Sequence, residues 1–262
     1  MNYSTIIPDP PLKDVVECYW TVTGNETEEQ KIVPDGFPEI IFHFGDVYEL
    51  ADGDGAFIQQ ARMIMSGQIS RPIVLRPRGR SDVFGIKFRP TGIWKLFGVH
   101  MSDVKDCVVA LDKRAPIASI YDSLQVASDE QRIKIAGDFL CKYLKSSVST
   151  DDASVVVKSI ELKRGNVSMG ELCDMHNISA RTLQRIFQRQ VGVTAKQYSR
   201  LVRFRTAYAM LQKPLLTKGD ALFLTGYFDQ PHFNKEFREF THENPETWFA
   251  NNHAFSNLFM NR

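Results

Sequence analysis

The feature that most narrows the fold is a repeat in the second half of the chain. Leu183, Phe187 and Tyr198 recur as Phe233, Phe237 and Trp248, each displaced by 50 positions. Arg185 recurs as Lys235 and Thr194 as Asn244 at the same displacement, whereas Asn177 and Ile178 recur as Gly226 and Tyr227 at 49. One residue has therefore been added inside the second turn. Each copy reads as helix, tight turn, helix.

The helix boundaries follow from local chemistry. Asp151-Asp152 precede a periodic run through Val155, Val156, Ser159 and Ile160. Ser168-Met169-Gly170-Glu171 is a capping box ahead of Leu172 and Met175. Asn177 stands where the chain must turn, and Asn tolerates the left-handed conformation. Ser179 caps a helix whose apolar positions are Leu183, Ile186 and Phe187, and Gly192 ends it. Thr194-Ala195-Lys196-Gln197, a second capping box, opens a long helix carrying Tyr198, Leu201, Val202, Phe204 and Leu211, stopped by Pro214. Asn244-Pro245-Glu246 is a further helix start, with Pro at the first helical position.

With the apolar side of each second helix turned inward, the other side has a distinct chemistry. In the first copy Arg181, Gln184, Arg185 and Gln188 point away at helical spacing; in the second, Gln230, Asn234, Lys235 and Arg238 do. Arg and Gln are the side chains that bond guanine and adenine edges bidentately in the major groove. The helix from 194 to 212 spans about 28 Å, close to the ~34 Å turn of B-DNA that separates successive major grooves on one side. Tandem units joined at that spacing are the minimal repeat for reading a duplex twice.

Net charge first argues otherwise. The chain of 262 residues carries only +1, whereas nucleic-acid binders usually show a basic excess. The average hides two opposite halves. Residues 151–262 hold 15 basic and 11 acidic residues, net +4, which leaves 17 against 20 and net −3 in residues 1–150. Between Met175 and Gly219 there is no acid at all, where the chain average would place about five, and nine bases stand there. Such a face suits a polyphosphate partner, which carboxylates would repel.

The stretches LCDMHNISARTLQRIFQRQVGVTAKQY and GYFDQPHFNKEFREFTHENPETW resemble the DNA-binding domain of the AraC/XylS family of bacterial transcription regulators, over roughly Ala153 to Trp248. The resemblance implies an all-α domain of two helix-turn-helix units. It implies base contacts from Arg181, Gln184 and Arg185 in the first recognition helix, and from the positions of Gln230, Pro231 and Lys235 in the second. Pro231 has no side-chain donor. Phosphate contacts are expected from Ser179, Arg189, Lys196 and Arg200. The family usually has Gly where His242 stands and Pro where Ala195 stands, departures that concern helix ends and leave the reading faces alone.

The first half is β-like. Segments 15–23 (VVECYWTVT), 39–44 (EIIFHF), 61–66, 73–75 and 82–89 (DVFGIKFR) are rich in β-branched and aromatic residues and separated by Gly, Pro and Asp turns. That pattern predicts a barrel or sandwich. From about Ser102 the pattern turns helical, with Ile133, Ala136, Leu140 and Tyr143 or Leu144 as an apolar stripe read as packing on the sheet, with a dimer interface as the alternative. The stretches PDGFPEIIFHFGD and GQISRPIVLRPRGRSDVFGIKFRPTG resemble an uncharacterised, cupin-like N-terminal sensor domain carried by some AraC-type regulators. The expected fold class is thus α+β in two domains: residues 1–150 for ligand sensing and dimerisation, β-rich to about 100 and helical after, and residues 151–262 for DNA binding.

Ligand chemistry is thinly marked. Arg76, Arg78 and Arg80, within a basic group that includes Arg71, Lys87 and Arg89, could clamp a carboxylate or phosphate. Glu39 and His43 share a strand face, but the dense His/Glu set of a metal-dependent cupin is missing, so no metal and no cofactor are expected. No GxSxG, P-loop or HExxH occurs, and a non-enzymatic regulator is expected; the alternative is a DNA-repair or cupin-type enzyme carrying a DNA-binding domain. Cys18, Cys107, Cys141 and Cys173 are far apart, as reduced thiols of a cytoplasmic protein would be, and no segment approaches the ~18 apolar residues of a membrane span. Expected partners are double-stranded DNA, a small-molecule effector, a second copy of the chain and RNA polymerase.

Overall fold

The structure is a computed structural model describing residues 2–25, 27–144, 153–212, 218–251, 253, 256 and 260. The expected domain boundary near 150, the Asp151-Asp152 cap and the Pro214 stop lie outside the described residues.

Among the described residues the first half holds ten strands: β1 (Asn2–Ile6), β2 (Val16–Gly24), β3 (Gln30–Ile32), β4 (Glu39–His43), β5 (Glu49–Ala51), β6 (Phe57–Gln59), β7 (Met63–Ser66), β8 (Ile73–Arg76), β9 (Ser81–Phe88) and β10 (Val108–Ala110). They form a six-stranded sheet ordered β1-β2-β9-β4-β7-β10 and a four-stranded sheet ordered β3-β8-β5-β6. Every ladder is antiparallel. No ladder among the described residues joins the two sheets, so the architecture is an open sandwich and not a closed barrel.

Side-chain alternation assigns the two faces of the larger sheet. Ile40 and Phe42 of β4 and Phe84, Ile86 and Phe88 of β9 enter a core with three helices, α1 (Gly92–Phe97), α2 (Tyr121–Gln125) and α3 (Asp129–Leu144). Ala136 and Leu140 are fully buried there, with Ile133, Tyr143 and Leu144 packed beside them. The α3 stripe is thus used in packing. On the opposite face Cys18, Trp20, Val22 and Val83 meet Ile32 and Leu75 of the second sheet. Gly85 pairs with Trp20 across the ladder; a Cβ there would lie 2.0 Å from the indole, so only Gly leaves room for that ring. Segment 108–110, within the stretch expected to be helical, is a strand that pairs with β7.

The second half is helical: α4 (Ser154–Leu162), α5 (Met169–His176), α6 (Ala180–Gln190), α7 (Ala195–Leu211), α8 (Lys218–Leu224), α9 (Gln230–Thr241) and α10 (Pro245–Ala250). Two cores hold it. Leu183, Ile186 and Phe187 pack with Tyr198 and Val202 in the first, and Phe233, Phe237 and Trp248 pack with Leu201, Phe204 and Tyr208 in the second. Helix α7 serves both, so it fixes one unit against the other.

Candidate nucleic-acid interface

The caps predicted from sequence set the reading helices. Ser168 Oγ accepts from Glu171 N at 3.1 Å while Ser168 N donates to Glu171 at 2.8 Å, closing the box at the start of α5. Asn177 takes φ 49° at its end, and Ser179 Oγ accepts from Thr182 N at 3.1 Å to start α6. Gly192, at φ 91°, ends α6 by donating to Phe187 O at 3.0 Å. The Thr194–Gln197 box starts α7. In the second unit Gly226 makes the turn and Asp229, not singled out from sequence, caps α9 by accepting from His232 N at 2.7 Å. Its place before Gln230-Pro231 was the available signal, since Pro is favoured in a first helical turn. Asn244 makes no cap bond; its Oδ1 accepts from Arg238 instead.

Arg181, Gln184, Arg185 and Gln188 form one exposed face of α6, opposite buried Leu183, Ile186 and Phe187. Gln230, Pro231, Lys235 and Arg238 are exposed on α9, and Asn234 is half-buried. Between the units lies a cleft of about 650 Å³ lined by Lys196, Arg200, Arg203, His232 and Lys235.

Two of the expected phosphate contacts are otherwise engaged. Arg200 donates to buried Glu236 at 2.7 Å and to Glu239, and Arg203 donates to Glu236 at 2.8 Å. Tyr227 Oη completes the group at 2.8 Å. Burial pushes the Glu236 carboxyl up, but the Arg200, Arg203 and Tyr227 interactions outweigh it and hold the group below its ordinary range. Arg189 sits 4.9 Å over the Trp94 ring of α1. Ser179 is committed to its cap, while Lys196 is exposed beside the cleft.

The N-terminal half reaches both units. A 3-10 turn, Met101–Val104, packs against α6, and His100 and Ser102 share a cleft of about 510 Å³ with Arg181, Gln184, Arg185, Gln188 and Arg189. Lys31 pairs with Glu243 before α10. Val33 enters the second helical core.

The same half encloses a cavity of about 70 Å³ between its sheets, walled mainly by apolar side chains. Lys87 is 1% exposed, bonded to Asp35 and 3.2 Å from Glu39. Burial opposes its charge, but the two carboxylates prevail and hold the ammonium above the ordinary lysine range. Lys87 is therefore not a solvent-facing member of that basic group. Burial also lowers His43 to about 4, so its imidazole is neutral at pH 7. Arg76 pairs with Glu29 and Glu49, Arg78 with Glu49 and Arg80 with Asp82, and none of the three lines the cavity. Among the described residues no group of three His, Cys, Asp or Glu side chains is placed to hold a metal ion, and no helix is long and apolar enough to cross a membrane.

Residues 172–251 match a family described as a helix-turn-helix domain, a range that takes in both helix-turn-helix motifs. Residues 4–110 match a domain of unknown function, DUF6597. Over 67 residues the chain is 34% identical to the HTH-type transcriptional activator RhaR of Pectobacterium atrosepticum, covering 26% of this chain and 24% of that protein. The second half of the chain thus carries an AraC-type helix-turn-helix domain. The RhaR protein of Pectobacterium carotovorum matches to the same extent, so the chain spans about a quarter of the length of the curated relatives it matches. Its fold is also similar to that of apo ToxT from Vibrio cholerae, with a TM-score of 0.51, 11% identity, and 88% of this chain and 97% of that chain covered. A second ToxT structure, bound to a methylnaphthalenyl-butenoic acid, gives 0.50 at 12% identity, covering 95% and 99%. At such identity the likeness concerns the fold alone, a sheet-based first half followed by a helical second half.

Proposed function

We propose that the chain is a sequence-specific DNA-binding transcription regulator whose affinity for its operator is set by a small molecule held in the N-terminal half. The observation that carries this reading is the pair of capped helices, α6 and α9, fixed to one rigid helix. Helix α7 spans about 26 Å over its 17 residues, which suits successive major grooves on one side of a duplex. In this reading Arg181, Gln184, Arg185 and Gln188 meet base edges in one groove, and Gln230, Asn234 and Lys235 in the next. Pro231 adds van der Waals contact only.

Lys196 is a phosphate contact, and Ser179 presents the α6 N-terminus to a phosphate. Arg200 contributes by holding α9 to α7 through Glu236, and Arg189 by stacking on Trp94. Arg238, bonded to Asn244, steadies the end of α9. The contacts of α6 with the Met101–Val104 turn give the N-terminal half a direct hold on the first reading helix, and a change there alters operator affinity. We assign the effector to the cavity between the sheets and not to Arg76, Arg78 and Arg80, whose charges are met by acids. A homodimer and contact with RNA polymerase fit this role in the cytoplasm.

Selection of bound sequences from random duplexes at fixed moderate salt tests the proposal. Enrichment of a site with two elements about one helical turn apart is expected. Retention of no duplex above background would overturn it.

A further inference from the structure

The cavity between the sheets has polar groups that narrow its occupant. Glu39, Ile41 and His43 share the face of β4 that lines it. At ~3.3 Å per residue, the two polar ends of that row stand about 13 Å apart. Trp20, Ile41 and Ile64 supply an apolar middle.

At one end the Asp35 and Glu39 carboxylates both stand against the ammonium of Lys87 in a buried place. At the other end His43 is 1% exposed, and neither ring nitrogen makes a hydrogen bond of normal geometry, although Gln60 is its neighbour. A neutral imidazole offers one acceptor nitrogen and one N–H donor. With the imidazole neutral, the charged side chains of the lining are thus both acids, Asp35 and Glu39. A ligand carboxylate would bring a third anion beside Asp35 and Glu39 in a desolvated site, whereas an ammonium is attracted by both.

The size of the cavity and the nature of its wall suggest how occupancy is felt. Its volume of about 70 Å³ is roughly half that of an engineered ~150 Å³ cavity that admits benzene. An occupant of more than a few heavy atoms therefore pushes on the walls. Within each sheet the strands are tied by ladders. Segment 33–37, which contributes Val33, Asp35 and Phe37, belongs to no strand. Its outer side rests on α7: Arg205 donates to Asp35 O at 2.8 Å and lies 4.6 Å over the Phe37 ring, and Val33 packs with Leu201 and Phe204.

Resting on the effector reading above, we propose that this cavity binds a small apolar amine, and that segment 33–37 transmits its occupancy to α7 and so to the relative placement of the two reading helices.

Calorimetric titration of the full chain with isobutylamine, isobutanol and isobutyrate at pH 7 tests this, with duplex affinity measured in the same samples by fluorescence anisotropy. Isobutylamine should bind at least about tenfold more tightly than isobutyrate, and saturating amine should change duplex affinity by about threefold or more. Glu39→Gln should shrink the preference for amine over acid. Equal binding of amine and acid overturns the proposal, as does binding of neither, or amine binding with duplex affinity unchanged. The comparison among the three ligands uses the unaltered chain, so it stands even where Glu39→Gln does not fold. Duplex binding without amine binding sinks this proposal alone; loss of duplex binding by the unliganded chain sinks the regulator reading.

Discussion

Replacing Glu236 by Ala tests the way the second reading helix is held. The Glu236 carboxylate is 3% exposed and accepts from three donors, Arg200 at 2.7 Å, Arg203 at 2.8 Å and Tyr227 at 2.8 Å. Each bond to a charged group is worth about 1.5–3 kcal/mol net, but bonds that share one carboxylate do not add. Arg200 keeps Glu239 after the substitution. Arg203, only 16% exposed, loses the single acid it is paired with here. Removing one partner of a buried ion pair costs about 3–5 kcal/mol, and that is the expected loss for Glu236→Ala. Glu236→Gln keeps an acceptor and should cost less, about 1–3 kcal/mol.

The sign of the pH effect follows from the lowered carboxyl. Its contribution is complete above the ordinary carboxylate range and is lost as pH falls through the folded value, which lies below that range. The assay is denaturant unfolding followed by far-ultraviolet circular dichroism, to which the helical half contributes strongly, repeated across acid pH. A loss under about 1 kcal/mol for Glu236→Ala, or an equal loss for Gln and Ala, would refute the reasoning.

Three further outcomes are expected. Arg185→Ala should weaken binding to the selected operator by about 1–3 kcal/mol and relax preference at one base pair, whereas Lys196→Ala should weaken all duplexes alike; operator affinity that is unchanged in Arg185→Ala at fixed salt would mean that α6 docks in another orientation. His43 titrates near 4 when folded against 6.5 in the reference state. Stability should therefore fall by up to about 3 kcal/mol as pH drops through that window, and His43→Leu should flatten that part of the unfolding midpoint plotted against pH. His242 ends α9 at φ 60°, a conformation that costs a non-Gly residue about 1 kcal/mol; His242→Gly should raise the thermal midpoint, and a lower one would show that the imidazole makes a compensating contact.

The reading of the helical half rested on interactions spanning three or four residues. The Ser168–Glu171 and Thr194–Gln197 boxes and the turn at Asn177 close within one helical turn, so the residues that make them stand together in the sequence. In the first half the same logic reached only part of the sheet. Strands β2, β4, β7, β8 and β9 fall in segments whose β-branched and aromatic residues mark them as strands. The strands β1, β3, β5, β6 and β10, of three to five residues, were not assigned. Short strands owe their form to the partner they pair with. Val108–Ala110 is extended because β7 offers a free edge to it.

Sequence alone determined the two helix-turn-helix units, their capped boundaries, the exposed Arg and Gln face of α6 and the separation of charge between the halves. Tertiary structure decided which of those charges face solvent. Arg200 lies in the acid-free window, yet Glu236 and Glu239 come to it from the next unit. Lys87 lies in a basic run, yet it is buried between Asp35 and Glu39. A cap is completed by its own neighbours, but an ion pair across dozens of positions exists only once the cores have brought distant segments together.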